Sequence, residues 1–471
     1  MAASAFSALA TLCSKREDAR RAVMEAKLLP MVVHALKSPD LMVRTSAASC
    51  VRSLSRSVKH LRTALIETGI ADPLFALLFD ESLDVRVSAC ATICNIVPDF
   101  PPMKHAMLQN GGVEMLTKLT QSEHDPLREN AVWALKNILF RAEYSVKEAV
   151  MRYLTYPGLL SLMSDANLTV REYAVSIFRN LVYSKEGQTQ AAELDKIVLS
   201  MGQRTMLKSL EENLNASHDV VVMNALYTIC NIASGAERHK LMILESELPK
   251  LILEATYHKS VMVRVAAGWC VTNLSWKDTA DSHCELGVYH ARMGDDGESV
   301  PGPDTLEPAP SSSSAAAAAT GSSEGAGTSS AGARDAERAG EYNAYLAYSW
   351  KQRIVKLREM GFEKRLREMT RDENIDVQDQ GTRALKHFIS ADNDGDEARG
   401  SSGPADSAAA GSGPSPPEES GGATHSRTRR FHRNVPSLMD RALDDMDRAV
   451  SEGEEDDSST SVGTDHMHFH P

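Results

Sequence analysis

Leu127–Asn137 reads LRENAVWALKN, and variants of its first half return along the chain at a nearly fixed interval. They are VRTSA at Val43, VRVSA at Val85, VREYA at Val170, VVMNA at Val221 and VRVAA at Val263. The alanines of these phrases, Ala47, Ala89, Ala131, Ala174, Ala225 and Ala267, are spaced by 42, 42, 43, 51 and 42 residues. VQDQGTRAL from Val377 is a seventh, worn copy with Gly381 in the alanine slot. Upstream in each unit, segments such as LLPMVVHAL and GGVEMLTKL carry apolar residues at helical spacing. Short connectors with Asp, Ser and Pro follow, as expected before a helix start. Units of this period, with two packed helices and a short leading one, describe an armadillo or HEAT repeat. One copy cannot bury its apolar face alone, so copies stack. The predicted fold class is all-α, an armadillo-repeat right-handed superhelical solenoid.

The Asp-x-Val-Arg flavour of the connectors leans toward HEAT, and a set of asparagines leans the other way. Six residues after the alanine stand Asn95, Asn137, Asn180, Asn231 and Asn273, while the first copy has Ser53 and the seventh His387. Asparagine is a poor helix former, so its fixed register asks for a reason. On successive third helices these amides form a ladder, each offering a donor beside an acceptor. That is the complement of one peptide unit of an extended partner chain laid along the concave wall. One helical turn before the asparagine lie Trp133, Tyr227 and Trp269, aromatics that would wall off pockets for partner side chains. The candidate peptide-binding residues are therefore Asn95, Asn137, Asn180, Asn231, Asn273, Trp133, Tyr227 and Trp269. Ala91 and Ser176 hold the aromatic slot elsewhere, so binding is expected to concentrate toward Asn231–Asn273. The competing reading has the amides bonding the adjacent repeat and the aromatics filling the core.

The net charge of −13 is unevenly spread. Residues 1–280 hold 31 Lys and Arg against 29 Asp and Glu, a net +2; the remainder holds 20 against 35, a net −15. A near-neutral ordered part argues against a nucleic-acid binder. The seven cysteines lie mostly in apolar helical runs without regular pairing, which suggests reduced, buried thiols of the cytosol or nucleus. Cys90 and Cys94 share a helix face, but no second pair lies nearby to complete a metal site. No run approaches the ~20 apolar residues that span a membrane, and no basic region opens a signal peptide. No glycine-rich phosphate loop, zinc-ligand spacing or local nucleophile signature is present, so no catalytic residue, cofactor or metal is predicted.

The expected organisation is armadillo repeats over 1–277, the first one partial, a disordered low-complexity insert over 278–344, a last repeat over 345–390 and a disordered acidic tail over 391–471. Within the tail, residues 436–450 have the apolar spacing of a short amphipathic helix, and Arg427–Arg433 is basic.

Three strings carry a more specific resemblance: AASCVRSLSRSVKHLRTAL (Ala47–Leu65), LTQSEHDPLRENAVWALKNILFRAE (Leu119–Glu143), and VRVAAGWCVTNLSW (Val263–Trp276) followed after the insert by KLREMGF. On these, the chain resembles the C-terminal half of the armadillo repeat-containing protein 8 family, in a fungal-type form, over about residues 5–277 and 345–390. That family supplies the scaffold subunit of the GID/CTLH ubiquitin ligase. The resemblance implies a non-catalytic protein of cytoplasm and nucleus. It implies that the concave groove docks the substrate-receptor subunit, with other ligase subunits as further partners and neither nucleic acid nor membrane involved. Members carry a further N-terminal half. Here Met1 opens inside what reads as the third helix of a preceding repeat. Importin-alpha-like and catenin-like peptide adaptors are the alternatives: the first also uses Trp-x-x-x-Asn ladders, and the second is expected to have a strongly basic groove.

Overall fold

The computed structural model describes residues 1–56, 64–98, 101–184, 187–278, 346 and 348–400. The expected insert and tail, including the amphipathic segment 436–450, lie outside the described residues. Among the described residues there is no strand. Eight helices carry the third-helix register: α1 Ala2–Ser14, α2 Leu41–Ser55, α3 Leu83–Ile96, α4 Asp125–Leu139, α5 Leu168–Val182, α6 Asp219–Ala233, α7 Val261–Leu274 and α8 Ile375–Gly400. Each packs on the next, so that α1 to α8 form one continuous row. Shorter helices lean on this row from each unit, such as Pro101–Gln109 and Gly112–Leu119 before α4.

The periodic residues explain the row. All six repeat alanines, from Ala47 to Ala267, are fully buried. Gly381 occupies the same slot in α8. A Cβ at that position would lie 2.8 Å from Met369 Cβ and 3.0 Å from Thr370 N, so the glycine permits close packing against the helix Phe362–Met369 of its own repeat. Helix starts follow the connectors: Asp40 accepts from Met42 N at 2.8 Å, and Asn167 from Thr169 N at 2.9 Å. The spacing of 51 has a structural counterpart. The leading helices before α6 are Gly187–Met201 and Gln203–Leu214, of 15 and 12 residues, against 9 and 8 before α4.

The boundaries differ in two places from the sequence reading. Asp278 is not insert; it is buried and ion-paired to Lys240. The last helix does not stop at 390 but continues to Gly400.

Candidate functional site

Every ladder amide reaches back to the repeat before it. Asn137 Nδ2 donates to Cys94 O at 2.9 Å, Asn180 to Lys136 O at 3.2 Å, Asn231 to Arg179 O at 3.2 Å and Asn273 to Cys230 O at 2.9 Å. Asn95 donates to Ser55 Oγ at 3.0 Å. The accepting carbonyls have a common origin. Cys94, Lys136, Arg179 and Cys230 each stand one residue before a ladder position, in the last turn of α3, α4, α5 and α6. Carbonyls of a helix's last turn have no partner within the helix. Asn137, Asn180, Asn231 and Asn273 thus each bond a last-turn carbonyl of the preceding third helix, and Cys230 O accepts from Ser234 N at 3.0 Å as well. His387, in the ladder slot of α8, does the equivalent through its Nδ1, 2.8 Å from Ser275 Oγ.

This geometry corrects the picture of amides standing open on a wall. Asn231 is 3% exposed, and Asn137 and Asn180 are also buried. One N–H of each amide is engaged between repeats, and part of what remains is engaged too: Asn180 Oδ1 accepts from Arg179, and Asn273 Nδ2 also reaches Cys230 Sγ at 3.1 Å. Two of the three aromatics are likewise enclosed. Tyr227 is 2% exposed, and burial pushes its phenol well above the ordinary tyrosine range. Trp269 is 4% exposed, with the Arg383 guanidinium 5.7 Å from its ring centre. Trp133 alone of the three is partly exposed. Its ring stacks on Tyr173 at 5.9 Å and 22°, and Lys136 Nζ lies 5.0 Å from the Tyr173 centroid. Trp133 is thus the partly exposed one of the three aromatics, while among the ladder amides Asn95 and Asn273 are the partly exposed ones.

Sequence reasoning passed over the cations of this wall. Lys136 and Arg179 directly precede Asn137 and Asn180, and both side chains are buried. Arg179 Nη1 donates to Asn224 Oδ1 at 2.7 Å, and its Nε and Nη2 lie 3.4 Å from Asn180 Oδ1. The signal was present in the ALKN and IFRN strings, one residue from the register already noticed. Arg52 holds the same position in α2, and its guanidinium pKa is lowered by burial and by Arg56.

A second ladder explains the Val-Arg signature, which served above only as a register mark. Arg44 Nε meets Asp80 Oδ2 at 2.8 Å, Arg128 Nε meets Asp165 at 3.2 Å and Arg264 Nη2 meets Asp372 at 3.0 Å. Each arginine spans to the connector of the following repeat. Arg171 does the same with Asn213 Oδ1 at 2.9 Å. The same guanidinium groups also bond their own connector, as Arg128 Nη1 does with Ser122 O at 2.8 Å. Burial alone would raise the Asp80 carboxyl, but hydrogen bonds from Arg44 and the Ser82 N–H outweigh it and hold the pKa below the usual range. The cysteines are structural by the same standard. Cys90 and Cys94 are buried, burial pushes the Cys90 thiol up to about 12, and Cys94 Sγ donates to Asn130 O at 3.2 Å.

Two repeat families match short stretches. The Armadillo/beta-catenin-like repeat matches residues 100–140, the unit that ends in Trp133 and Asn137, and the HEAT repeat matches residues 28–58, the copy with Ser53 in the ladder slot. Armadillo repeat-containing protein 8 of Pongo abelii is 32% identical over 280 residues, 59% of this chain and 41% of that protein. The GID complex subunit 5 of Schizosaccharomyces pombe is 27% identical over 248 residues, 52% of this chain and 31% of that protein. The described residues have an armadillo/HEAT-repeat fold, and the chain is similar in sequence to armadillo repeat-containing protein 8. It spans about two fifths of the length of the vertebrate relatives it matches. Among solved structures, a designed armadillo repeat protein in complex with the peptide (KR)4 is 25% identical, with a TM-score of 0.47 over 52% of this chain and 99% of that one. No helix among the described residues is long and apolar enough to cross a membrane.

Proposed function

We propose that this chain is a non-catalytic armadillo scaffold of a GID/CTLH-type ubiquitin ligase, acting in cytoplasm and nucleus. Its third-helix wall docks an extended segment of the substrate-receptor subunit. The kinship with armadillo repeat-containing protein 8 and with GID complex subunit 5 supports the ligase assignment. The observation that carries the docking surface is the cluster on α4 and α5. There a partly exposed Trp133 stacks on Tyr173 beside Lys136, Arg179 and the amides of Asn137 and Asn180. The Asn137 amide, one helical turn from Trp133, is the group we assign to the backbone of an extended segment. The tryptophan offers a face for one side chain, and the cations favour a segment that carries a carboxylate. An importin-alpha-like reading calls for an acidic wall that takes basic cargo, and Lys136 and Arg179 weigh against it.

The test is co-expression of the chain with the receptor subunit and the other ligase subunits, followed by affinity purification. Trp133→Ala is expected to weaken receptor recovery by roughly tenfold or more, as removal of an aromatic anchor does. Its melting temperature should stay within a few degrees. If Trp133→Ala and Lys136→Glu both recover the receptor like the parent chain, this wall is not the docking surface. If neither receptor nor other subunits co-purify with the parent chain, the ligase assignment itself fails.

A further inference from the structure

The last repeat is joined to the solenoid through a cluster of buried charges. Glu237 and Lys240 come from the helix Glu237–Leu244, Asp278 from the segment after α7, and Ser349, Trp350 and Arg353 from the helical residues 348–359. Lys240 Nζ meets Asp278 Oδ2 at 2.6 Å, Arg353 Nε meets Glu237 Oε1 at 2.8 Å, and Arg353 Nη2 lies 3.8 Å from Asp278. All four charged side chains are 1% exposed. Ser349 also bonds Glu237, and Glu237 Oε2 has no hydrogen-bond partner. The same helix caps the end of α7. Arg353 donates to the carbonyls of Leu274 and Trp276, and Trp350 Nε1 donates to Ser275 O at 2.8 Å.

Three features make this joint unlike those before it. The first is its chemistry. A buried ion set holds only while complete, because removing one partner strands the others without compensation. The second is its connection. Four residues, 140–143, link α4 to the next helix and three, 234–236, link α6 to the next, whereas residues 279–345 separate Asp278 from Leu346. The entropic cost of closing a connection rises with its length. The third is position. In a stacked array each repeat is held by its neighbours alone, and among the described residues α8 packs on α7 and on its own helix Phe362–Met369.

We infer that this joint is an electrostatic latch. The last repeat, residues 346–400, opens as a unit from an otherwise folded solenoid, and its opening uncovers Trp269 on α7. The closed state covers that face tightly. Arg383 of α8 lies over the Trp269 ring, and a Cβ on the adjacent Gly268 would lie 2.6 Å from Gln380 Cβ. A rung of the wall that is enclosed in the closed state thereby becomes available in the open one.

The chain has four tryptophans, and Trp269, Trp276 and Trp350 all stand at this joint. In a Trp133→Phe background, intrinsic emission therefore reports the latch. Native-state hydrogen exchange of the full chain supplies the second readout. The slowest amides of residues 350–388 are expected to exchange at least tenfold faster than those of α6. Arg353→Met should raise exchange in the last repeat a further tenfold or more and red-shift the emission, while α4 to α6 stay protected. The paired change Lys240→Met/Asp278→Leu removes one charge of each sign and is expected to leave the last repeat as protected as before. The latch is overturned if the last repeat and α6 exchange at one common rate in the unmodified chain. That comparison needs no variant to fold. An electrostatic basis is overturned if the paired change opens the joint as much as Arg353→Met does.

Discussion

At the residue scale, the asparagine ladder has a physical account that one sequence cannot reach. The register of Asn137, Asn180, Asn231 and Asn273 was legible, and so was the demand that each amide find a peptide-like partner. Two partners satisfy that demand equally well: the backbone of a bound segment, or a carbonyl in the last turn of the preceding third helix. The choice depends on how far one repeat is rotated against the next, which no local pattern encodes. The structure gives one N–H of each amide to the helix end. Asn137→Ala is thus expected to leave Cys94 O short of a partner in a buried setting and to cost about 1–3 kcal/mol. Chemical denaturation monitored by helical circular dichroism measures it. A change below a few tenths of a kcal/mol would mean that the bond to Cys94 O contributes nothing to folding.

At the element scale, the third helices were readable because their alanines and their connectors repeat, and both turn out to mark contacts. The alanine slot is fully buried in all six copies that carry it. Gly381→Ala puts a methyl group against the backbone at Thr370, which cannot swing away as a flexible side-chain end can. It is expected to destabilise the last repeat by about 1–3 kcal/mol, seen as a lower denaturation midpoint, while Ala267→Gly at the matching slot of α7 acts through lost packing instead. Arg44, Arg128 and Arg264 were visible too, but their partners lie 36 to 108 residues away in the next connector. No pattern within one helix can find a bond of that span. Arg128 and Asp165 are both largely shielded from solvent, so their coupling should exceed that of a surface pair. A double-mutant cycle through Arg128→Ala and Asp165→Ala is expected to give roughly 1–2 kcal/mol of coupling, since a hydrogen bond to a charged group contributes more than a neutral one. A coupling near zero would reduce the ladder to a geometric coincidence of neighbouring loops.

At the scale of the whole molecule, repetition made the fold legible and irregularity hid the joint. Seven copies in register imply a row of stacked helices, and the row is there. What departs from the repeat does not follow from it. The worn copy, the long separation before it and the buried charges between Glu237 and Arg353 belong to one interface, and their residues share no sequence motif. His387 gives this interface a pH signature. Burial is the main reason its imidazole pKa falls to about 4, with the nearby Arg353 charge adding to the effect and Lys386 contributing less; a hydrogen bond to the Thr272 carbonyl opposes them. The ring also meets Trp276 edge-on at 5.3 Å, and its Nδ1 lies 2.8 Å from Ser275 Oγ. The folded pKa lies below the unfolded one of about 6.5. The unfolded chain then binds the extra proton between these two values, so stability falls as pH falls through that window and is fully present above it. The difference between the two pKa values corresponds to roughly 3 kcal/mol of stability lost by pH 4. Carboxylates elsewhere titrate near the lower end of the same range, so the comparison must be between variants rather than between pH values alone. His387→Gln keeps a side chain able to bond Ser275 and cannot gain the proton. Denaturation of both chains at pH 7, 6, 5 and 4, followed by tryptophan emission, should show the parent losing its lead over the variant progressively below pH 6.5. Parallel pH profiles would mean that His387 is as accessible to protons in the folded chain as in the unfolded one, and that the joint is not sealed around it.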